Sequence, residues 1–172
     1  MRLSSDILIG EEELRRRVSA MASAIAADTP EGETLSVIAL MDGAFMFCAD
    51  LVRRLPMPVH LAFVPVTSIG RGGDPSKTVL PSEFPVRGAD LLVVEDILDT
   101  GCTLSALERH LLSMGPRRFR LAVLLDKPTR REVEIRPDYV GFTTEDRWVV
   151  GYGLDYEGLY RNLPYVSFVE KG

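Results

Sequence analysis

Three carboxylates and two hydroxyl side chains lie within one short stretch of the chain and could bind a phosphorylated ligand. Glu95 and Asp96 follow an apolar run, and Asp99 opens the segment Asp99-Thr100-Gly101-Cys102-Thr103. Backbone N–H groups and hydroxyls at the start of a helix favour an anion, whereas carboxylates bind ligand hydroxyls, a divalent cation or a proton. An ordinary strand-to-helix turn, with Asp99 or Thr100 as the N-cap, is the alternative interpretation.

The sequence around this stretch predicts the elements that would position it. The apolar residues 91–94 are typical of a buried strand, and residues 103–114 form an amphipathic pattern that ends at Gly115-Pro116. The other predicted elements are a helix over 14–25 that ends near Thr29-Pro30, a helix over 45–55, and strands over 36–40, 59–66, 121–125, 139–142, 148–153 and 165–169.

Alternation of strands and helices predicts an α/β fold with a mainly parallel sheet. Ligands of such sheets bind beyond the carboxyl ends of the strands. This rule brings residues 41–44, 68–73, 99–103 and 126–127 to one edge. Residues 68–88 form a long connection that is rich in glycine and proline, which is typical of a functional lid.

Composition restricts the class of protein. The 172 residues carry a net charge of −5, which argues against a broad nucleic-acid surface, and they contain no apolar stretch of transmembrane length. The first residues lack the apolar core of a secretory signal. Cys48 and Cys102 are far apart in the chain, so we expect a reducing compartment, most simply the cytoplasm.

Residues 91–105, LLVVEDILDTGCTLS, resemble the diphosphoribosyl-binding signature of the type I phosphoribosyltransferases. This resemblance implies that Glu95 and Asp96 bind the ribose hydroxyls of phosphoribosyl pyrophosphate (PRPP) and that residues 99–103, including Cys102, surround its 5′-phosphate. It also implies that Asp99 accepts a proton from the base. The implied fold is a single domain over 1–172, with a core at about 10–137, a strand-rich hood at about 138–172 and a mobile loop at about 68–88.

Three further stretches resemble the hypoxanthine-guanine branch of that family. In residues 39–51 the resemblance places pyrophosphate on Met41, Asp42 and Gly43, with a non-proline cis peptide near Met41-Asp42. In residues 124–131 it assigns Lys127 to the exocyclic oxygen of a 6-oxopurine, which disfavours adenine because a lysine cannot accept a hydrogen bond. The implied roles in residues 139–161 are purine stacking by Trp148, purine contacts by Val149 and Asp155, Mg²⁺ binding by Asp155 with Glu95 and Asp96, and pyrophosphate binding by Arg161.

The chain departs from the pattern of that branch at three positions. Asp42 stands where a basic residue is usual, and Ile69 follows Ser68 in the mobile loop where tyrosine is usual. Cys102 occupies a variable position, and we expect it to be a plain buried thiol.

The resemblance implies an enzyme of purine salvage that transfers the phosphoribosyl group of PRPP to hypoxanthine, guanine or both, giving IMP or GMP and pyrophosphate. The alternatives are a regulatory protein of the same fold that senses PRPP or a nucleotide, and an enzyme that prefers xanthine. We expect no nucleic-acid or membrane partner, and a homodimer or homotetramer for which the apolar helix over 45–55 is a candidate interface.

Overall fold

The computed structural model describes residues 2–65 and 80–170. Its elements are β1 (Arg2–Leu3), α1 (Glu11–Ala27), β2 (Leu35–Met41), α2 (Phe45–Val52), β3 (Val59–Pro65), β4 (Asp90–Leu98), α3 (Cys102–Ser113), β5 (Arg118–Asp126), a 3₁₀ turn (Pro128–Arg130), β6 (Tyr139–Thr143), β7 (Val149–Val150) and β8 (Ser167–Glu170). The predicted helices and buried strands are therefore confirmed, although α2 ends three residues earlier than predicted. Ser68 and Ile69 lie outside the described residues.

Five strands form a wholly parallel sheet in the order β3-β2-β4-β5-β6. The central strands β2 and β4 read as continuous apolar runs because both of their faces are covered. Side chains that alternate along β2 and β4 pack on one face against α1 and α2, and on the other against α3. The α/β prediction is confirmed.

A second, antiparallel sheet has the order β1-β8-β7 and lies in the part of the structure that we call the hood, which comprises β1, β7, β8 and the residues 144–166. The sequence pattern did not predict β1, whose two residues pair with Val169 and Glu170. The hood implied by the resemblance, about 138–172, includes residues 139–142, whereas β6 completes the parallel sheet. Predicted strand 148–153 is shorter in the structure, because the chain turns at Gly151 and Gly153 with positive φ.

The order of the strands determines where the candidate site residues lie. β2, β4 and β5 are neighbours, so their carboxyl ends at Met41, Leu98 and Asp126 lie side by side. No helix in the described part of the chain is long and apolar enough to cross a membrane.

Candidate active site

Two adjoining cavities open at this edge of the parallel sheet. The larger, of about 320 Å³, is lined by residues 41–43, 95–101 and 103–104 together with Asp155 and Arg161. The smaller, of about 200 Å³, is lined by Lys127, Trp148, Val149 and Leu154. Both cavities share Asp96, Ile97, Asp99 and Asp155 as a common wall. The site residues predicted outside the mobile loop therefore lie at one place, with Cys102 beside it at the start of α3.

The loop between β4 and α3 has the backbone shape of an anion site. Gly101 precedes α3 with φ of +83°, and a Cβ atom there would lie 2.6 Å from Cγ2 of Ile135. Thr100 Oγ1 accepts a hydrogen bond from the Cys102 backbone N–H at 3.4 Å. The loop leaves N–H groups at the start of α3 beside the larger cavity, where a phosphate is favoured.

The thiol of Cys102 is exposed, so the expectation of a buried thiol is wrong. Its Sγ lies 3.7 Å from Oε2 of Glu132. Position 102 is the first residue of α3, and its side chain points away from the apolar face that Leu104, Leu107 and Leu111 bury.

Glu95 and Asp96 present two adjacent carboxyl groups at the end of β4. Glu95 is only 7% exposed, and burial together with the charge of Asp96 raises the pKa of Glu95 well above its ordinary value. Asp96 Oδ1 accepts a hydrogen bond from the Ile97 N–H at 2.9 Å. The pair is suited to accept hydrogen bonds from hydroxyl groups or to share a cation, since either would relieve the repulsion between the two carboxyl groups.

The turn after β2 passes close to this acidic pair. The Met41-Asp42 peptide is cis, as predicted. A Cβ atom on Gly43 would lie 1.7 Å from Oδ2 of Asp96, so a side chain at this position would force the Asp96 carboxylate to move. A Cβ atom on Gly153 would similarly lie 2.2 Å from the Gly43 carbonyl oxygen. Gly153 therefore brings the hood against this turn.

Arg161 connects the hood to the turn after β2 across the larger cavity. Its Nη2 lies 2.9 Å from Oδ1 of Asp155 and 3.9 Å from Oδ2 of Asp42, and its Nη1 donates to the Gly153 carbonyl oxygen at 2.6 Å. The carboxylate of Asp42, which departs from the family pattern, is thus next to a guanidinium and is mostly exposed.

The smaller cavity has one apolar wall and one charged corner. Trp148 is 58% exposed, and its Nε1 donates to the Asp155 carbonyl oxygen at 3.1 Å. Tyr156 meets the Trp148 ring edge-on, with centroids 5.6 Å apart. These contacts fix the indole plane and leave surface on which a flat base can stack. Lys127, which is 6% exposed, donates through Nζ to the Arg147 carbonyl oxygen at 2.7 Å.

Two arginines that sequence reasoning missed hold Asp99 from the 3₁₀ turn and the residue after it. Arg130 Nε lies 3.1 Å from Asp99 Oδ1, and Arg131 donates to the Asp99 carbonyl oxygen and pairs with Asp126. The hydrogen bond to Asp99 and the charges of Asp99 and Asp146 raise the pKa of Arg130. The available signal was the doublet Arg130-Arg131, which follows Lys127 after Pro128 and Thr129.

Comparison with known proteins agrees with this geometry. The sequence model of the family described as "Phosphoribosyl transferase domain" matches residues 8–157, so the chain belongs to the phosphoribosyltransferase family. A hypoxanthine-guanine phosphoribosyltransferase of Aquifex aeolicus is 40% identical over 95% of this chain and 94% of its own length. A hypoxanthine phosphoribosyltransferase of Salmonella typhimurium is 37% identical over 98% and 97% of the two chains.

The fold agrees as closely as the sequence. The crystal structure of a hypoxanthine-guanine phosphoribosyltransferase from Bacillus anthracis superimposes with a TM-score of 0.89 at 38% identity, over 99% of this chain and 100% of that one. Within the phosphoribosyltransferase family, the similarity thus lies with the enzymes that act on hypoxanthine and guanine.

Proposed function

We propose that this protein transfers the phosphoribosyl group of PRPP to hypoxanthine, guanine or both, giving IMP or GMP and pyrophosphate in purine salvage. The observation that carries the proposal is the wall that the two cavities share. It brings a phosphate loop and an acidic pair against a pocket with an aromatic face and a buried lysine. A ribose 5-phosphate and a purine bound in the two cavities would therefore meet beside Asp99.

The reaction requires one bond to form and another to break. A ring nitrogen of the purine attacks the anomeric carbon of PRPP, and the bond from that carbon to pyrophosphate breaks with the electron pair leaving on pyrophosphate. We assign Asp99 to accept the proton that the purine loses at its neighbouring nitrogen, because its carboxylate lies on the shared wall. Glu95 and Asp96 would bind the ribose hydroxyls, and residues 99–103 the 5′-phosphate.

Charge on the departing pyrophosphate must be offset. We assign this role to Arg161 and to the backbone N–H groups of residues 41–43, which line the same cavity. The turn binds through its backbone, so Asp42 can serve there in place of a basic residue while its side chain stays beside Arg161.

We include Mg²⁺ as the cofactor. The larger cavity is lined by one arginine, Arg161, and by the carboxylates of Asp42, Glu95, Asp96, Asp99 and Asp155, and so carries more negative than positive charge. No three metal-binding side chains form a complete site in the part of the chain that the structure describes. A hard cation could take some of its ligands from Asp155, Glu95 and Asp96 and the others from substrate oxygens and water. Such a cation would neutralise charge on pyrophosphate.

Selection of the base follows from Lys127 and Trp148. The lysine can only donate, so it favours a 6-oxo group over the 6-amino group of adenine. Val149 and the Asp155 carbonyl lie at the edge of the same pocket, where backbone groups can contact the pyrimidine side of the purine.

The test is an assay with PRPP, Mg²⁺ and one base at a time: hypoxanthine, guanine, xanthine or adenine. We expect nucleotide formation with hypoxanthine or guanine and none with adenine. Preference for xanthine would correct the substrate, and binding of PRPP or IMP without turnover on any base would replace the enzyme by a regulatory protein.

The proposal extends to assembly and location. Phe47, Cys48 and Leu51 of α2 are buried within the chain, whereas Leu61 and Phe63 on the edge strand β3 are exposed. We therefore place the contact with a second copy on β3 beside α2, and expect Phe63→Lys to shift the protein toward monomer in light scattering.

Both cysteines are free, which is consistent with a cytoplasmic domain over 1–172.

A further inference from the structure

Arg130 and Asp146 lie between the two polar side chains to which we assign the purine. Lys127 Nζ is 3.8 Å from Asp146 Oδ1, and Asp146 Oδ2 is 3.5 Å from Arg130 Nη1. Arg130 Nε is 3.1 Å from Asp99 Oδ1. The four side chains alternate in sign, so each charge has an opposite charge as its neighbour.

We propose that Arg130 and Asp146 are positioning residues that hold the Asp99 carboxylate and the Lys127 ammonium in register with the two adjacent polar groups of a 6-oxopurine. This inference rests on the proposed function. In such a purine the exocyclic oxygen and the neighbouring ring nitrogen lie side by side, so a donor and a proton acceptor must be held at a matching separation. Misplacement of either by about an ångström is enough to slow a reaction strongly.

The contacts of Lys127 show what Asp146 contributes. An ammonium has three donors in a fixed arrangement. The carbonyl oxygen of Arg147 takes one, and the carboxylate of Asp146 draws a second toward itself. Lys127 lines the smaller cavity, so we assign its third donor to the purine.

The contacts of Arg130 show why an arginine stands there. Its guanidinium spans two carboxylates at once, through Nε to Asp99 and through Nη1 to Asp146. A lysine can place one charge near both but cannot reproduce the fork. Arg131 holds the backbone of Asp99 instead, so the two arginines divide the task between main chain and side chain.

The energies of these pairs are small because the side chains of Arg130 and Asp146 are 45% and 57% exposed. The effect to be measured is therefore on rate and base selection, and both residues can be replaced without loss of the fold.

The test compares Arg130→Ala, Arg130→Lys, Asp146→Ala and the double alanine variant with Arg136→Ala. Arg136 is the matched control because it is an arginine of the same segment whose side chain is 89% exposed and lies 3.8 Å from Glu134. For Arg130→Ala we expect kcat with hypoxanthine to fall roughly tenfold with KM for PRPP unchanged, and Arg130→Lys to recover part of the loss. For Asp146→Ala we expect KM for hypoxanthine to rise roughly fivefold and its preference over adenine to weaken.

The double variant decides whether the residues act as one unit. Because Arg130 and Asp146 share a contact, the fold-loss of kcat/KM for hypoxanthine in the double variant should be smaller than the product of the fold-losses in the two single variants. Independent effects, or variants that behave like Arg136→Ala, would overturn the inference. If those variants are silent while Asp99→Asn and Lys127→Ala are impaired, the inference fails and the proposed function stands. A wild-type protein without turnover on any base would remove both.

Discussion

Glu95 is a buried carboxyl group whose nearest charged neighbour is another carboxyl, that of Asp96. Burial and this neighbour raise the pKa of Glu95, so the folded protein without ligand holds it in a disfavoured environment at neutral pH. We expect the charge of Glu95 to destabilise the folded protein until a ligand binds, because hydrogen bonds from ribose hydroxyls or a bound cation would offset it. Removing the charge should therefore have opposite effects on stability and on substrate binding.

We predict that Glu95→Gln raises the melting temperature at pH 7 by about 2–4 °C, which for a chain of this size corresponds to about 1 kcal/mol, and weakens PRPP binding. A protein with a carboxyl group whose pKa is raised on folding loses stability as the pH rises through the folded-state pKa, whereas a glutamine does not titrate. The advantage of the variant should thus vanish in acid. Melting curves at pH 4 and 7 and PRPP calorimetry measure both effects; an unchanged melting temperature would contradict the account.

Asp99 permits a second prediction at the level of one residue. Asp99→Asn keeps the size and the polar contact but cannot take a proton, so kcat should fall by roughly 10²-fold. The dissociation constant for PRPP should change much less, because the phosphate loop is held by its backbone. Steady-state kinetics with a direct PRPP titration separate the two, and an equal loss of both would argue against the role as base.

Trp148 offers a direct probe of the smaller cavity, because it is the single tryptophan of the chain. We predict that IMP changes its emission saturably, since a stacked base would cover its exposed face. Trp148→Ala removes the stacking surface and should bind IMP more weakly by roughly tenfold, in line with the value of one stacked base. Fluorescence of the wild type and calorimetry of the variant test this; unaltered IMP affinity in the variant would exclude stacking.

At the level of elements, the turn after β2 and the hood meet through glycine backbone. Gly43 lies against the Asp96 carboxylate and Gly153 against the Gly43 carbonyl, so a side chain at either position would separate the pieces of the larger cavity. The cavity is closed by backbone contact between elements that are distant in sequence. Its shape is therefore sensitive to one methyl group.

We predict that Gly43→Ala abolishes measurable PRPP binding, because its Cβ atom would displace the Asp96 carboxylate. Gly10→Ala is the matched control, since a Cβ atom there meets nothing within 4 Å. Calorimetric titration of both variants with PRPP, with melting curves to show that each is folded, measures the effect. PRPP affinity in Gly43→Ala equal to that of the control would show that the turn can adjust.

At the level of the whole molecule, a buried polar cluster ties the opposite edge of the parallel sheet together. Arg120 is 4% exposed and donates to Asp90, to Thr29 and to the Tyr139 hydroxyl, each at 2.9 Å. Arg118 also pairs with Asp90. Three neighbouring strands and the end of α1 are thus joined through charges that need one another.

Asp90 carries a pH prediction for this cluster. Burial alone would raise the pKa of Asp90, but the hydrogen bond from Arg118 and the charge of Arg120 outweigh it and lower the pKa. A lowered folded-state pKa gives stability that is present above the unfolded value of about 3.9 and is lost as pH falls through the folded value. Asp90→Asn should cost about 3 kcal/mol at pH 7, with the difference from wild type shrinking below about pH 4.

Urea unfolding at pH 7, 5 and 3.5 measures that difference. Glu134→Gln is the control, because the Glu134 side chain is 89% exposed. A stability difference for Asp90→Asn that stays constant with pH would exclude the titration of Asp90 as its source.

The sequence was most informative where a local pattern determines the structure. Buried strands and the face of α3 could be predicted because burial on both sides leaves apolar runs and helical spacing, and the carboxyl-end rule then located Asp99 and Lys127. β1 could not be predicted, since two residues have no periodicity and pair with a partner more than 160 positions away. Gly153 and Arg130 were missed for the same reason: their importance comes from what lies across space, and the exposure of Cys102 depends on how α3 is turned.

The pairing of β1 with β8, and of Ile9 with Val166, has a consequence for synthesis on the ribosome. A nascent chain that has emerged as far as residue 126 already contains β2, β4, β5 and the phosphate loop, all parallel neighbours. The hood sheet can close only when the segment 166–170 reaches the first residues of the chain. The loop to which we assign the 5′-phosphate is thus made early, and the hood to which we assign stacking of the base is completed last.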